Sequence, residues 1–480
     1  MGSQAVVACC SRVQFSLFIV VAFVVPSSAF ADTGDDALKA AKKATSFLFE
    51  QVSTESGYLW RYSSDLRKRE GEGVIKTATI WVQPPGTPTV GEAFVRLYES
   101  TGDAQFLDAA KAAGEALRRG QMRSGGWQAS VEFDPDRRRK WAYRVDPPSR
   151  KQKDQSSLDD DKTQSATRFV MRLDRACQFK DEKVHEMALY AINGLINNGQ
   201  FANGGFPHVW TNEKQADASQ PPRRASYPES WSKEYQGHQE YWNRYTLNDN
   251  LASDVIETLF LAEEVYQDPR YRRSALKLAD SLLMAQMPEP QPAWAQQYSA
   301  KMQPIWARKF EPASITGGES QSVIRTLMMV YQQTGDRKYL NSLPAALDYL
   351  ERSELPDGKL ARFYELKSNR PLYFTKDYKL TYDDSDMPTH YGFKIGSKVD
   401  RLRKEYEKLH RQKWSKPPSE KSSKKSSENE VRKLIASQDS RGAWISDMGM
   451  RYHNYKGPAI DMRQTAKNLT TLANYLRERK

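Results

Sequence analysis

Four short segments share one layout, and helical periodicity runs up to them. Gln121-Met122-Arg123-Ser124-Gly125-Gly126-Trp127 and Gln200-Phe201-Ala202-Asn203-Gly204-Gly205-Phe206-Pro207 are the clearest. Glu354-Leu355-Pro356-Asp357-Gly358-Lys359-Leu360 and Gln438-Asp439-Ser440-Arg441-Gly442-Ala443-Trp444 are weaker copies. Upstream, Phe106, Ala109, Ala110, Ala113 and Leu117 recur at the spacing of one helix face, as do Tyr339, Leu340, Leu343, Leu347 and Leu350. Each set follows a Thr-Gly-Asp turn, at Thr101-Gly102-Asp103 and Thr334-Gly335-Asp336, where glycine ends one helix and aspartate caps the next. A helical pair, then Gln, a Gly turn and an aromatic, repeated roughly every eighty to ninety residues, describes hairpins arranged around an axis. The expected fold is all-α: an α/α toroid, an incomplete α/α barrel of helical hairpins whose long loops form a cleft. No continuous strand pattern covers enough of the chain for a major sheet domain.

The N-terminus reads as a secretory signal. A charged start at Arg12 precedes the apolar run Val13–Val25, and small residues lead to Ala29-Phe30-Ala31, an A-x-A site. Cleavage is expected after Ala31, leaving residues 32–480 as one toroidal catalytic domain exported to the periplasm or the medium, with no membrane span once the signal is gone. Cys9 and Cys10 leave with it, so Cys177 alone remains and no internal disulfide supports the fold. A Lys/Ser-rich stretch at about 416–429, opened by Pro417-Pro418, reads as an inserted basic surface segment.

The whole chain carries 72 Lys and Arg against 60 Asp and Glu. Loss of Arg12 leaves 71 against 60, a net charge of +11. A basic exported protein suits a polyanionic partner, and charge alone admits nucleic acid, an anionic membrane or an acidic polysaccharide. The six histidines are scattered, with no His-Glu-x-x-His and no Cys/His ligand spacing, which argues against a zinc enzyme. There is no Gly-x-Ser-x-Gly elbow and no phosphate-binding loop. His208 and His238 lie near candidate site loops and read as polar surface residues.

Two acidic clusters offer chemistry. Leu158-Asp159-Asp160-Asp161-Lys162-Thr163 and Leu247-Asn248-Asp249-Asn250-Leu251-Ala252 each open an apolar helix. Asp and Asn are ordinary N-caps, so either cluster alone reads equally as a helix start. Brought together, their carboxylates could instead hold a hard cation between protein and substrate. The Gly-Gly-aromatic turns admit two readings as well, as structural punctuation or as faces on which sugar rings stack, with Trp127 and Phe206 the candidates.

These segments, with others in the same order, resemble the family 10 pectate lyases from about Asp36 to the C-terminus. The segments are Leu158-Asp159-Asp160-Asp161 with Thr167-Arg168-Phe169, Asn203-Gly204-Gly205-Phe206-Pro207 and Leu247-Asn248-Asp249-Asn250. Trp306-Ala307-Arg308-Lys309-Phe310-Glu311-Pro312, Ser314–Ser320, Leu360-Ala361-Arg362-Phe363-Tyr364-Glu365 and Asn369-Arg370-Pro371-Leu372 complete the set. The resemblance implies an α/α toroid that cleaves polygalacturonate, or a related polyuronate, by calcium-dependent β-elimination. It places Asp159 and Asp249 at the calcium positions, Arg308 as the catalytic base and Arg362 as a substrate-binding arginine. Arg370 would be a second carboxylate contact or a structural partner.

Two departures stand out. Thr375-Lys376-Asp377 occupies the place of a family Gly-Arg-Asp, so Lys376 would meet substrate with a point charge where the family has a planar fork. Asp159-Asp160-Asp161-Lys162 stands where relatives usually have Asp-Asn-Gly-Ala. The expected partner is an acidic polysaccharide, not nucleic acid, and the expected state is a monomer. A toroidal glycoside hydrolase using Asp159 and Asp249 as an acid/base pair, or a non-catalytic polyuronate-binding protein, are the alternative readings.

Overall fold

A computed structural model describes residues 1–2, 32–213, 219–238, 240–415 and 426–479. The expected signal therefore lies almost wholly outside the described residues, as does most of the basic insertion. Glu428 and Asn429, expected as the end of that insertion, instead open a helix, because the Ser427 side chain accepts a hydrogen bond from the Glu430 N–H and caps it. No helix among the described residues is long and apolar enough to cross a membrane.

The fold is an all-α toroid built from antiparallel helical pairs. In chain order the helices are α1 (Thr33–Phe47), α2 (Thr87–Thr101), α3 (Ala104–Arg118), a single turn α4 (Pro135–Arg138), α5 (Lys162–Ala176), α6 (Glu182–Gly194), α7 (Leu251–Tyr266) and α8 (Pro269–Ala285). They continue as α9 (Gly317–Thr334), a short α10 (Lys338–Asn341), α11 (Leu343–Arg352), α12 (Val399–Arg411), α13 (Glu428–Ala436) and α14 (Met462–Arg477). Helices α14, α2, α5, α7 and α9 pack one against the next as an inner arc, and α3, α6 and α8 each back the inner helix that precedes them. The apolar stripes anticipated in α3 and α11 are the buried ones: Phe106, Ala109, Ala110, Ala113 and Leu117, then Leu343, Leu347 and Leu350.

Each inner helix is led in by a short strand that pairs with a distant segment. Thr79–Trp81 pairs with Ser130–Glu132, Ser156–Ser157 with Val209–Trp210, Tyr245–Thr246 with Gln297–Tyr298, and Ile315–Thr316 with Phe363–Tyr364. Arg61–Ser63 pairs with Ala459–Asp461, ahead of α14. These ribbons gather the loops at the N-terminal ends of the inner helices, where unpaired backbone N–H groups favour negative charge.

All four expected hairpin exits adopt one geometry. In each, a residue donates its N–H to the carbonyl four positions on, and a glycine donates back to it: Met122 with Gly125 and Gly126, Phe201 with Gly204 and Gly205, Leu355 with Gly358 and Lys359, Asp439 with Gly442 and Ala443. The residue that donates back is in every case a glycine with positive φ, between 72° and 109°, a conformation that other residues enter only at a steric penalty. The glutamine is the anchor. Gln121, Gln200 and Gln438 each donate to the carbonyl of that glycine and to a carbonyl of another helix: Met187, Ser274 and Ala40. A fifth exit escaped the sequence pattern. Gln286 donates to Pro292 and Ser342, and the loop runs on to Trp294, without any glycine.

The aromatics of these turns belong to the core. Trp127 and Phe206 are 0% exposed, so neither presents a face to a sugar, and the stacking expectation is corrected to structural punctuation. The Trp127 indole N–H is satisfied inside the protein by the Leu117 carbonyl, just as Trp294 and Trp444 donate to Leu282 and Leu434.

A charged knot near their N-terminal ends helps tie helices α5 and α7 together. Arg168 Nη2 donates to both oxygens of Asp161 at 2.8 and 2.6 Å, and Nη1 donates across to the Asp254 carbonyl and the Thr258 hydroxyl. Burial and then the Asp161 charge push the Asp254 carboxyl up to about 7. The folded protein thus holds a proton there that the unfolded chain, with its carboxyl near the usual ~3.9, releases, so this group's stabilisation is complete below about pH 4 and is lost as pH rises through 7. Asp254→Asn is expected to melt higher than wild type at pH 8, by a few degrees for a gain of about 1 to 3 kcal/mol, and to match it near pH 4. Thermal melts at the two pH values decide this; equal shifts at both would show that the carboxyl is not strained in the fold.

Candidate active site

The two acidic clusters meet. Asp159–Asp161 and Asn248–Asn250 form short 3₁₀ turns that pack on each other at the heads of α5 and α7. Neither caps its helix with a side chain. Instead each runs two consecutive residues through the left-handed region, Asp160 and Asp161 at φ 47° and 61°, Asp249 and Asn250 at φ 50° and 61°. Backbone held this way stores strain and is characteristic of functional sites. By contrast Asp103, Asp181 and Asp268, which open the outer helices α3, α6 and α8, are ordinary caps accepting from Gln105, Val184 and Arg270. The capping reading therefore falls for the inner clusters, whose carboxylates are free for other contacts.

Those contacts are specific. His208 Nε2 lies 2.9 Å from Asp159 Oδ1, and Lys162 Nζ lies 2.5 Å from Oδ2. Burial would raise the Asp159 carboxyl, but the His208 contact and the Lys162 ammonium outweigh it and hold the group well below the ordinary carboxylate range. Asp160 accepts from Gln83 Nε2 at 2.9 Å, and burial with the Asp159 charge pushes it up. Asp249 is open to solvent on its outer side, yet enough protein surrounds it that dehydration, followed by the charges of Asp160, Asp159 and Glu319, pushes its carboxyl up to about 7. One ligand atom from each of Asp159, His208 and Asp249 lies within 4.8 Å of the others. His208 is thus a site residue and not the polar surface residue that its isolation in the sequence suggested.

Two of the expected arginines stand beside this cluster. Arg308 forks onto Glu311 through Nε at 2.8 Å and Nη2 at 2.5 Å, and its charge is felt at Asp160. Glu311 is 2% exposed and also accepts from the Tyr391 hydroxyl at 2.9 Å. Although burial alone would lower the Arg308 pKa, the ion pair with Glu311 prevails and raises it, so the guanidinium is held protonated in this state. Arg362 donates from Nε to the Gly392 carbonyl at 2.6 Å and stacks over Tyr391, 4.6 Å from the ring centre, with Arg308 5.6 Å from the same ring. Glu319, at the head of α9, is 6% exposed; burial raises its carboxyl and the Arg362 charge opposes that rise.

The other two expected cations are engaged elsewhere. Arg370 lies over Tyr382 at 3.4 Å from the ring centre, and Lys376 pairs with Asp386 at 2.9 Å on the exposed surface. Neither touches the acidic cluster among the described residues. The ring faces that do lie nearby are Tyr241 and Tyr391, whose hydroxyls burial pushes up and which sense Arg308.

Residues 121–360 match the family described as pectic acid lyase. No curated protein matches the chain. Among solved structures, a family 10 polysaccharide lyase from Cellvibrio cellulosa is 20% identical over 65% of this chain and 97% of its own, with a TM-score of 0.45. A mutant of that enzyme in complex with trigalacturonic acid gives the same identity and TM-score over 65% and 98%. A cellobiose 2-epimerase from Spirochaeta thermophila is 14% identical over 95% of this chain and 98% of its own, with a TM-score of 0.43.

Proposed function

The chain belongs to the pectic acid lyase family, and from that premise we propose that it cleaves polygalacturonate by calcium-assisted β-elimination, with Asp159 and Asp249 as the cation's carboxylates and Arg308 and Arg362 facing the substrate. The observation that carries this reading is the crowding of Asp159, Asp160 and Asp249 on one floor while two arginines share the ring of Tyr391 beside it.

β-Elimination takes the proton α to a uronate carboxylate, which leaves at a useful rate only if the carboxylate's charge is neutralised as the enolate-like state forms. The residues fit a hard divalent cation. Asp249 has no ion-pair partner among the described residues, and buried Glu319, its Oε2 without a hydrogen-bond partner, adds negative charge behind it. Bound there, calcium would polarise a uronate carboxylate through loose oxygen coordination. Arg362, already held over the ring of Tyr391, is set to receive a carboxylate on its planar fork.

Arg308 is the proton acceptor in this reading, and Glu311 is its positioning residue. While the Glu311 fork stands the guanidinium keeps its proton, so the acceptor form is reached only when substrate and cation enter and the fork opens. Export through a leader ending at Ala31, and action as a monomer on a polymer outside the cytoplasm, belong to the same proposal. Comparing initial rates on polygalacturonate and on its methyl ester tests it. A strong preference for the free acid is expected, because esterification removes the charge that both the cation and Arg362 engage; equal rates would remove the proposed role of both.

A further inference from the structure

Lys162 stands in an unfavourable place for its helix. It is the first residue of α5, where the macrodipole disfavours a cation, and it is only 7% exposed. What holds it there is the acidic floor. Its Nζ sits 2.5 Å from Asp159 Oδ2 while His208 Nε2 takes Oδ1 at 2.9 Å, so both oxygens of that carboxylate are engaged by groups of the chain itself. Its charge also reaches Glu72, at the tip of the Arg69–Val74 hairpin, and Asp160. Asp249 across the floor is hydrogen-bonded only by Asn248 among the described residues.

We infer that Lys162 is a resident counter-cation that competes with calcium for Asp159, so that the divalent ion enters by displacing an ammonium and is held weakly until substrate adds its own carboxylate. This rests on the calcium reading above. The buried stem leaves the ammonium little room to retreat, so a cation bound to Asp159 and Asp249 has it as a close like-charged neighbour. The device would leave the floor neutral enough to fold without metal and make tight calcium binding conditional on a uronate.

The test is calorimetric titration of calcium into the chelator-treated full-length protein, wild type beside Lys162→Met, with melting curves of each with and without calcium. Methionine fills the buried stem's space and carries no charge. The variant is expected to bind calcium about tenfold or more tightly, a change of about 1.4 kcal/mol, and its melting temperature should rise more on calcium addition than that of wild type. Lys162→Arg, which keeps a cation, should stay as weak as wild type. Unchanged or weaker affinity in Lys162→Met, beside measurable binding by wild type, overturns the role of Lys162 and leaves the calcium reading standing. Absence of calcium uptake by both proteins overturns the role of Lys162, and its continued absence when a galacturonate trimer is present overturns the calcium reading as well. Should Lys162→Met not fold, Lys162→Gln makes the same comparison.

Discussion

Asp249→Asn is expected to abolish activity on polygalacturonate, lowering kcat/KM by about 100-fold or more, while the protein melts at or above the wild-type temperature. Asparagine tolerates the left-handed backbone that Asp249 adopts at φ 50°, so the substitution adds no strain. It removes one carboxylate from a floor shared with Asp160, Asp159 and Glu319, which relieves repulsion in the resting protein. Loss of function with a gain or no loss of stability is the mark of a group kept for chemistry. Activity assays beside thermal melts decide the point, and a fully active Asp249→Asn would take the cation site away from this carboxylate.

The second large effect is expected at Arg308. Alanine there would strand Glu311, a carboxylate 2% exposed, and breaking such a pair typically costs about 3–5 kcal/mol, so lost activity could reflect lost structure. Arg308→Lys is the sharper test. It keeps a positive charge for Glu311 but loses the planar fork and the delocalised guanidinium. Turnover is expected to fall about 100- to 1,000-fold, with substrate affinity within a few-fold of wild type, because the proposed role puts the group on the reacting atom more than on ground-state binding. Single-turnover rates and affinity electrophoresis separate the two quantities. Near-normal turnover in Arg308→Lys would place the proton acceptor elsewhere, and Tyr241 and Tyr391 would be examined next.

The repeating exits were legible because one of their requirements is written in a single residue type: a turn that needs positive φ selects glycine, and Gly125, Gly204, Gly358 and Gly442 all supply it. The exit at Gln286 makes its turn by another route and so left no mark of that kind. What the pattern could not carry is which way an aromatic points. Trp127 and Phe206 occupy the positions that suggested sugar stacking, and they close the core behind the turn instead.

The candidate site was legible as two acidic clusters and two arginines, Arg308 and Arg362, whose local sequences are distinctive. It was illegible wherever distant segments complete it. Gln83, His208 and Glu311 reach the floor or its flanking arginine from three separate loops, and no spacing rule joins them. Lys162 sat in plain view beside Asp159, yet nothing in its position in the sequence showed that it would turn inward. Likewise Asp103 and Asp159 look alike as residues before a helix; the structure separates them, because Asp103 caps α3 while Asp159 gives its carboxylate to His208 and Lys162.

The central claim is that this floor carries cation-assisted elimination, and it is tested most directly by following polygalacturonate incubated with the purified protein. Ultraviolet absorbance from 4,5-unsaturated ends and total reducing ends should be recorded together, first with chelator and then with calcium restored. The account predicts that the two signals rise in step, stop on chelation and return with calcium. Reducing ends that accumulate without absorbance, indifferent to chelator, would contradict it and make Asp159 and Asp249 the carboxyl pair of a hydrolase.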